Sequence, residues 1–397
     1  MLRLINRVQD YAWGSATAIP ELLGEPVTGG PVAELWLGAH PAAPSCAVRD
    51  DARVPLDRLV AERPEAMLGS DVVARFGPCL PYLLKIIAVA RPLSLQVHPD
   101  IDRAREGFAA EDAAGIDLRD PRRNYKDANH KPELVYALTR FEALSGFRAP
   151  RRAAELFHGL DAPLAVALHA TLVAEPTYRG IRTAFRRLLE PELRPTPAEV
   201  EELADACRRR LEDDSPSPRA DGTVVRLAEA YPGDPGAVTS LLLNPVTLEP
   251  GEAMFVPAGG VHAYLQGVAV EVMANSDNVL RAGLTTKHVD VAELLANVDY
   301  VAAPPIRVAP EVFHGRAKVF YAPVDDFELS VAECDGDGAY PLPGRGPRVV
   351  LCVEGTASVR TGSAEATLRR GESVFVPAAD GALTVTGPGT VVQADVP

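Results

Sequence analysis

The octapeptide Gly251-Glu252-Ala253-Met254-Phe255-Val256-Pro257-Ala258 returns 120 residues later as Gly371-Glu372-Ser373-Val374-Phe375-Val376-Pro377-Ala378, with six identities in eight. A repeat of this quality at a fixed offset means that one structural unit occurs twice. Around each copy the sequence runs in apolar segments of four to seven residues punctuated by Gly and Pro, the spacing of strands in a sandwich or barrel. The chain is therefore expected to contain two β-barrels of one kind.

At 397 residues the chain exceeds what one hydrophobic core usually serves. Its pattern changes near Ala149, where β-rich segments give way to Ala, Leu, Glu and Arg at helical spacing. Thr196 and Glu199 form a capping box with Pro197 at the first helical position, followed by an apolar stripe of Val200, Leu203, Ala204, Cys207 and Leu211. Further helices are expected within residues 151–160, 178–189 and 223–231. The expected division is a discontinuous barrel from residues 1–149 and 239–305, a helical insert at 150–238, and a second barrel at 306–397. The fold class is mainly β with an α-helical insert.

The pattern G-[DE]-x-x-x-x-P-x-x-x-x-H resembles the cupin jelly-roll signature, in which the proline opens a turn that delivers a metal-binding histidine. In the first copy that histidine is His262; the equivalent position of the second copy is Ala382. The second barrel is expected to be structural or interfacial.

A net charge of −14 opposes binding to nucleic acid or anionic membrane, so an anionic substrate would need a local cationic pocket. The longest apolar stretch, residues 80–95, is broken by Lys85 and Arg91 and is too short to span a bilayer. The amino terminus lacks a signal-peptide pattern, and a cytoplasmic location is expected. Five scattered cysteines without a C-x-x-C pair suggest neither a disulfide framework nor a thiolate metal site. Only five of the forty cationic side chains are lysines: Lys85, Lys126, Lys131, Lys287 and Lys318. In so arginine-rich a chain, lysine is expected where an ammonium that can lose its proton is needed.

Gln96 and His98 lie two apart after an apolar approach, so a strand would project both to one face, with Ser94. Asn129-His130-Lys131-Pro132-Glu133 leads into the apolar run Leu134 to Leu138, placing the Glu133 carboxylate at a strand entrance. With His262 these residues offer two imidazoles, a carboxylate and an amide oxygen, a donor set that suits zinc. The later stretch 275–287 is too polar for a plain barrel strand, and its Arg281 and Lys287 offer cations to an anion.

Together, Gln96-Val97-His98-Pro99-Asp100, Asn129-His130-Lys131-Pro132-Glu133, His262-Ala263-Tyr264 and residues 275–287 resemble the type I mannose-6-phosphate isomerase family. The opening residues 9–15 and the stretch 33–41 match it too. The resemblance implies one zinc ion per chain, held by Gln96, His98, Glu133 and His262, and a small-molecule sugar phosphate as partner. It implies interconversion of mannose 6-phosphate and fructose 6-phosphate through a cis-enediol, without a redox cofactor. Arg281 would stabilise developing charge or hold the phosphate; Lys131, His130 and Glu271 compete for the proton transfer. Lys85, Ser94, Lys287 and Asp277 are candidates for the substrate and its phosphate. A monomer or weak homodimer is expected. Two other readings stay open: another metal-dependent cupin enzyme, such as an iron dioxygenase, and a sugar-binding cupin without activity.

Overall fold

The computed structural model describes residues 1–49 and 52–397. Its central element is a thirteen-residue strand, His262–Ala274. The later half of this strand pairs antiparallel with Tyr82–Val89 on one side and with Glu133–Ala137 on the other. Its first residues pair with Leu95–Val97 and Phe141–Phe147 in a different sheet. The bend between the halves falls at Gly267, where φ is +118° and a Cβ would lie 2.6 Å from the Arg140 carbonyl oxygen. Only glycine fits there, and the bend lets one strand serve both sheets of the unit.

The C-terminal unit has its own thirteen-residue strand, Arg348–Arg360, which likewise pairs in two sheets. The first half of this strand pairs with Ser373–Val376 and Pro388–Asp395, and its second with Glu365–Arg369 and Leu383–Thr386. The two copies of the octapeptide supply equivalent strands, so register can be compared between the units. Val256 is opposite Glu133, and Val376 is opposite Arg348. One strand further, Glu271 lies opposite Val135 and Gln393 opposite Val350. Lys85 faces Glu271, and Ser330 faces Gln393. The second unit thus has Arg348, Gln393 and Ser330 where the first has Glu133, Glu271 and Lys85.

Strand pairing cuts across the division expected from sequence. Leu2–Ile5 joins the C-terminal unit by pairing with Ser373–Val376, and Cys46–Arg49 and Ala52–Pro55 extend that sheet. Conversely, Ile306–Val308 pairs with Ala253–Val256 of the first unit. In both units the octapeptide strand has an outer edge to cover, and each is covered by a strand from elsewhere in the chain. An apolar layer between the units seals this exchange, with Leu37, Leu84, Ile86 and Val272 facing Leu329, Leu351, Phe375 and Val392. Tyr82 adds a polar link, its buried hydroxyl 2.9 Å from the Pro347 carbonyl and 2.8 Å from that of Ala394.

Five helices, Pro150–Phe157, Pro163–Ala174, Tyr178–Leu189, Pro197–Glu212 and Pro218–Ala230, pack against Leu95, Val97, Leu144 and Leu265 of the first unit. The Thr196–Glu199 capping box is formed. Ile101–Ala113, entered through the Asp100 side chain accepting from the Arg103 amide at 2.8 Å, lies outside the insert, as do three short helices within residues 56–76. Among the described residues no helix is long and apolar enough to cross a membrane.

Candidate metal centre

Glu133 opens its strand and His262 opens the long bent strand, so both side chains enter the first unit at one end. His262, Gln96 and Arg281 form a row across three neighbouring strands. The His98 ring is fully buried, with Nδ1 2.8 Å from the Asn278 carbonyl oxygen. That acceptor fixes the proton on Nδ1 and leaves a lone pair on Nε2. Burial, and then the nearby Lys131 charge, push the His98 pKa down to about 4, so the ring is neutral at physiological pH.

Among the described residues the Nε2 atom of His98 has no hydrogen-bond partner, yet it lies 3.1 Å from Glu133 Oε1. Burial works to raise the Glu133 carboxyl, but the Lys131 ammonium beside it helps to hold it well below the usual carboxylate range. A neutral imidazole lone pair and a carboxylate oxygen at this separation repel unless a cation lies between them. His262 completes the set. Its Nδ1 is 3.0 Å from the Gly260 carbonyl, leaving Nε2 3.5 Å from Glu133 Oε2. Ligand atoms of His98, Glu133 and His262 all lie within 4.8 Å of one another. The Tyr264 hydroxyl donates to Glu133 Oε2 at 2.8 Å and orients the carboxylate. This neutral-imidazole and carboxylate set fits a borderline divalent ion such as zinc.

Gln96 and Lys131 border this cluster and line a cavity of about 820 Å³. At one wall the Lys85 ammonium sits 3.3 Å from Glu271 and 3.8 Å from Glu34, with the Trp36 ring 5.1 Å below it. The Trp36 indole donates to Glu34 at 2.6 Å. Burial opposes the Lys85 charge, but Glu34 and Glu271 outweigh it and keep the ammonium protonated. Lys85 was a candidate for the phosphate; its charge is already matched by these two carboxylates. Burial and the Glu133 charge push Glu271 up to about 7.

Arg281, Lys287, Lys126 and Arg91 line the cavity as well, together with Ser94 and Asp277. Burial lowers the pKa of Arg281; Lys287 is lowered by burial and then by Arg281, and Lys126 by burial and its cationic neighbours. Cations gathered on one wall attract an anion such as a phosphate dianion. Lys287 also lies 6.0 Å from the Tyr11 ring centroid. Asp277 is 3.5 Å from His40 Nε2, and its amide donates to Asp127 at 2.8 Å.

His130 is engaged elsewhere. Its Nε2 meets the Asp326 carboxylate of the second unit at 3.0 Å, whereas the next residue, Lys131, has its ammonium 3.4 Å from Glu133. Four of the five lysines line the cavity, and the fifth, Lys318, pairs with Glu333 at the surface. Sequence reasoning did not single out Glu34, Trp36, Arg91, Tyr264 or Asn278. Tyr264 had a readable signal, lying two residues after His262 on the same strand face. Trp36 and Glu34 bond each other locally, but only the pairing of their strand with the Lys85 strand brings them to the site, and Asn278 reaches His98 from 180 positions away, which local spacing does not reveal.

Residues 1–150 match the family model described as phosphomannose isomerase type I, catalytic domain, and residues 316–395 match that of the mannose-6-phosphate isomerase cupin domain. Over 397 residues the chain is 41% identical to the mannose-6-phosphate isomerase of Escherichia coli (strain K12), with 99% of each chain covered. The chain belongs to the type I phosphomannose isomerase family. A second relative in that family, from Salmonella typhimurium, is 40% identical over 398 residues, again with 99% of each chain covered. Among solved structures, a zinc-bound mannose 6-phosphate isomerase superposes with a TM-score of 0.89 at 40% identity, covering 100% of this chain and 99% of that one. The Salmonella typhimurium enzyme bound to fructose 6-phosphate and zinc superposes equally well, with the same score, identity and coverage.

Proposed function

We propose that the chain is a zinc-dependent aldose–ketose isomerase that interconverts D-mannose 6-phosphate and D-fructose 6-phosphate through a cis-enediol. The observation that carries this reading is the unpartnered His98 Nε2 facing Glu133 Oε1 at 3.1 Å, a pair of electron donors that calls for a cation. Gln96, His98, Glu133 and His262 would hold one zinc ion, which when bound supplies Lewis acidity toward the sugar's carbonyl and hydroxyl oxygens.

The remaining chemistry falls to the protein. Arg281, Lys287, Lys126 and Arg91 attract the phosphate and orient the sugar with its C1–C2 end toward Lys131 and Glu271. One group takes the proton from C2 of mannose 6-phosphate and returns it to C1, while the C2 hydroxyl proton passes to the C1 oxygen, so an aldehyde becomes a hydroxymethyl group, a secondary alcohol becomes a ketone, and the reaction is redox-neutral overall. Lys131, which borders the cavity, and Glu271, poised near neutrality, are the two candidates for that transfer. Lys85, kept cationic by Glu34 and Glu271, holds the Glu271 carboxylate in place at the cavity wall.

The test is coupled conversion of mannose 6-phosphate to fructose 6-phosphate by chelator-stripped protein, before and after one equivalent of zinc, with His262→Ala alongside. Activity restored by zinc and absent in the variant supports the reading. Full activity in stripped protein or in His262→Ala removes the zinc mechanism, and inactivity with every divalent metal removes the isomerase.

A further inference from the structure

The second β-unit lacks the metal histidine and carries an arginine in place of the metal carboxylate, so its contribution to the site must come by another route. Such a route runs through Asp326. This residue lies in the turn between Ala317–Tyr321 and Glu328–Asp335 of the second unit and is 4% exposed. Its two carboxylate oxygens stand 3.1 and 3.0 Å from Nε2 of His130 in the first unit. A buried carboxylate is costly unless it is paired, so this contact ties the two residues together. The turn itself is anchored by Arg75, which donates to the Asp325 carbonyl at 3.1 Å and to the Pro397 carbonyl at 3.3 Å.

His130 sits in the segment that carries the site. Its next neighbour, Lys131, contacts Glu133, and Glu133 follows two residues later as a candidate metal ligand. One flank of the segment is gripped by the 274–278 loop. There the Asn129 carbonyl accepts from Asn278 Nδ2 at 2.8 Å and from Ser276 Oγ at 3.2 Å, and the Pro132 carbonyl accepts from the Ala274 amide at 3.1 Å. The His130 ring is held from the second unit.

We propose that Asp326 is a positioning residue through which the second β-unit fixes the active-site segment, clasping His130 so that Lys131 and Glu133 keep their places. The consequence for metal binding rests on the zinc centre proposed above, and the kinetic consequence on the isomerase reading. Asp326 touches neither sugar nor metal; it restricts the main chain that presents two groups that do. Removing it should loosen zinc and slow turnover while leaving the phosphate-binding cations, and hence KM, nearly unchanged.

The experiment compares Asp326→Ala, Asp326→Asn and His130→Ala with the unmodified zinc-loaded protein. It measures the rate at which a chelator strips zinc, and separately kcat and KM for mannose 6-phosphate. Asp326→Ala should release zinc about 10-fold faster and lose about 10-fold in kcat, with KM within about twofold. Asp326→Asn, which keeps an oxygen able to accept from His130, should recover most of both. The double variant Asp326→Ala/His130→Ala should be no worse than either single, because both remove the same contact. Unchanged zinc release in Asp326→Ala, or strict additivity in the double variant, overturns the proposal. Should Asp326→Ala not fold, His130→Ala and Asp326→Asn decide by the same two readings. If the unmodified protein holds zinc but does not isomerise the sugar, the isomerase reading fails while the zinc-release comparison still judges the clasp.

Discussion

Glu133 and Arg348 hold the same place in the two β-units, each opposite the valine of one copy of the repeated octapeptide, Val256 and Val376. A candidate metal carboxylate in one unit is thus a fully buried guanidinium in the other. With Ala382 at the position equivalent to His262, the second unit offers a fixed positive charge where a cation would have to bind.

The first prediction follows from that exchange. Elemental analysis of the purified protein should give one zinc per chain, and Glu133→Gln should lower retained zinc to near zero after dialysis against a mild chelator. Two equivalents in the unmodified chain, or one left in Glu133→Gln, would show that the second unit also binds metal.

Asn278 should matter for metal affinity although it is not a ligand. Its carbonyl fixes the His98 tautomer, and its side chain binds the neighbouring loop, accepting from the Lys126 amide at 2.7 Å and donating to the Asp127 carbonyl at 2.8 Å. Asn278→Ala frees that loop and lets the carbonyl drift from His98. Zinc affinity should fall about 10- to 100-fold, the usual range for a group that orients a metal ligand. Competition with a fluorescent zinc chelator measures it, and an unchanged affinity would mean that the main chain holds the carbonyl without help.

Lys85 is the cation between two buried carboxylates. Lys85→Met keeps most of the volume and leaves Glu34 and Glu271 without their partner, which should cost about 3–5 kcal/mol of stability. The deficit should shrink as pH falls, because Glu271, already displaced upward, takes up a proton more readily once the ammonium is gone. Denaturant melts of zinc-free protein at pH 6 and pH 8 test this. An equal deficit at both would mean that lost packing, not lost charge, sets the cost.

The parts of this architecture that depend on local pattern were legible in the sequence. The repeat announced two related β-units, and the box at Thr196 and Glu199 announced its helix; Gln96 falls in a strand, Leu95–Val97, but His98 lies just past its end rather than on its face. Pro163–Ala174 was not legible, because Ala, Leu and Val occur on every side of that helix and leave no amphipathic stripe. Nor were the edge exchanges of Leu2–Ile5 and Ile306–Val308, since which edge a short strand covers is decided by tertiary packing. The same holds in the site. The Lys85–Glu34 pair and the His130–Asp326 contact join residues 51 and 196 positions apart, and nothing in either neighbourhood names the partner.

The second unit's buried polar row yields a stability prediction that is independent of metal. Asp395 is fully buried and lies opposite Glu328 on the neighbouring strand, with the Arg348 strand on its other side. Arg348 donates to the Gly344 carbonyl at 3.3 Å, and Gln393 to that of Pro343 at 2.8 Å, closing a turn over the row. Burial, reinforced by the Glu328 charge, holds the Asp395 carboxyl well above its ordinary value, and burial also raises Glu328. A carboxyl held this high favours its neutral form, which lessens the negative charge beside the guanidinium. A raised folded-state pKa means that the folded chain binds more protons than the unfolded one once pH exceeds about 4, the unfolded aspartate value. Stability therefore declines as pH rises from there toward the folded-state value. Asp395→Asn supplies a neutral group of the same shape that needs no proton. Its Tm should exceed that of the unmodified protein by about 2–4 °C at pH 7.5, and the gain should fade as pH approaches about 4.5. A loss that deepens with rising pH would mean that Asp395 is ionised in the folded chain and paired with Arg348, and a gain independent of pH would mean that its protonation does not set the cost.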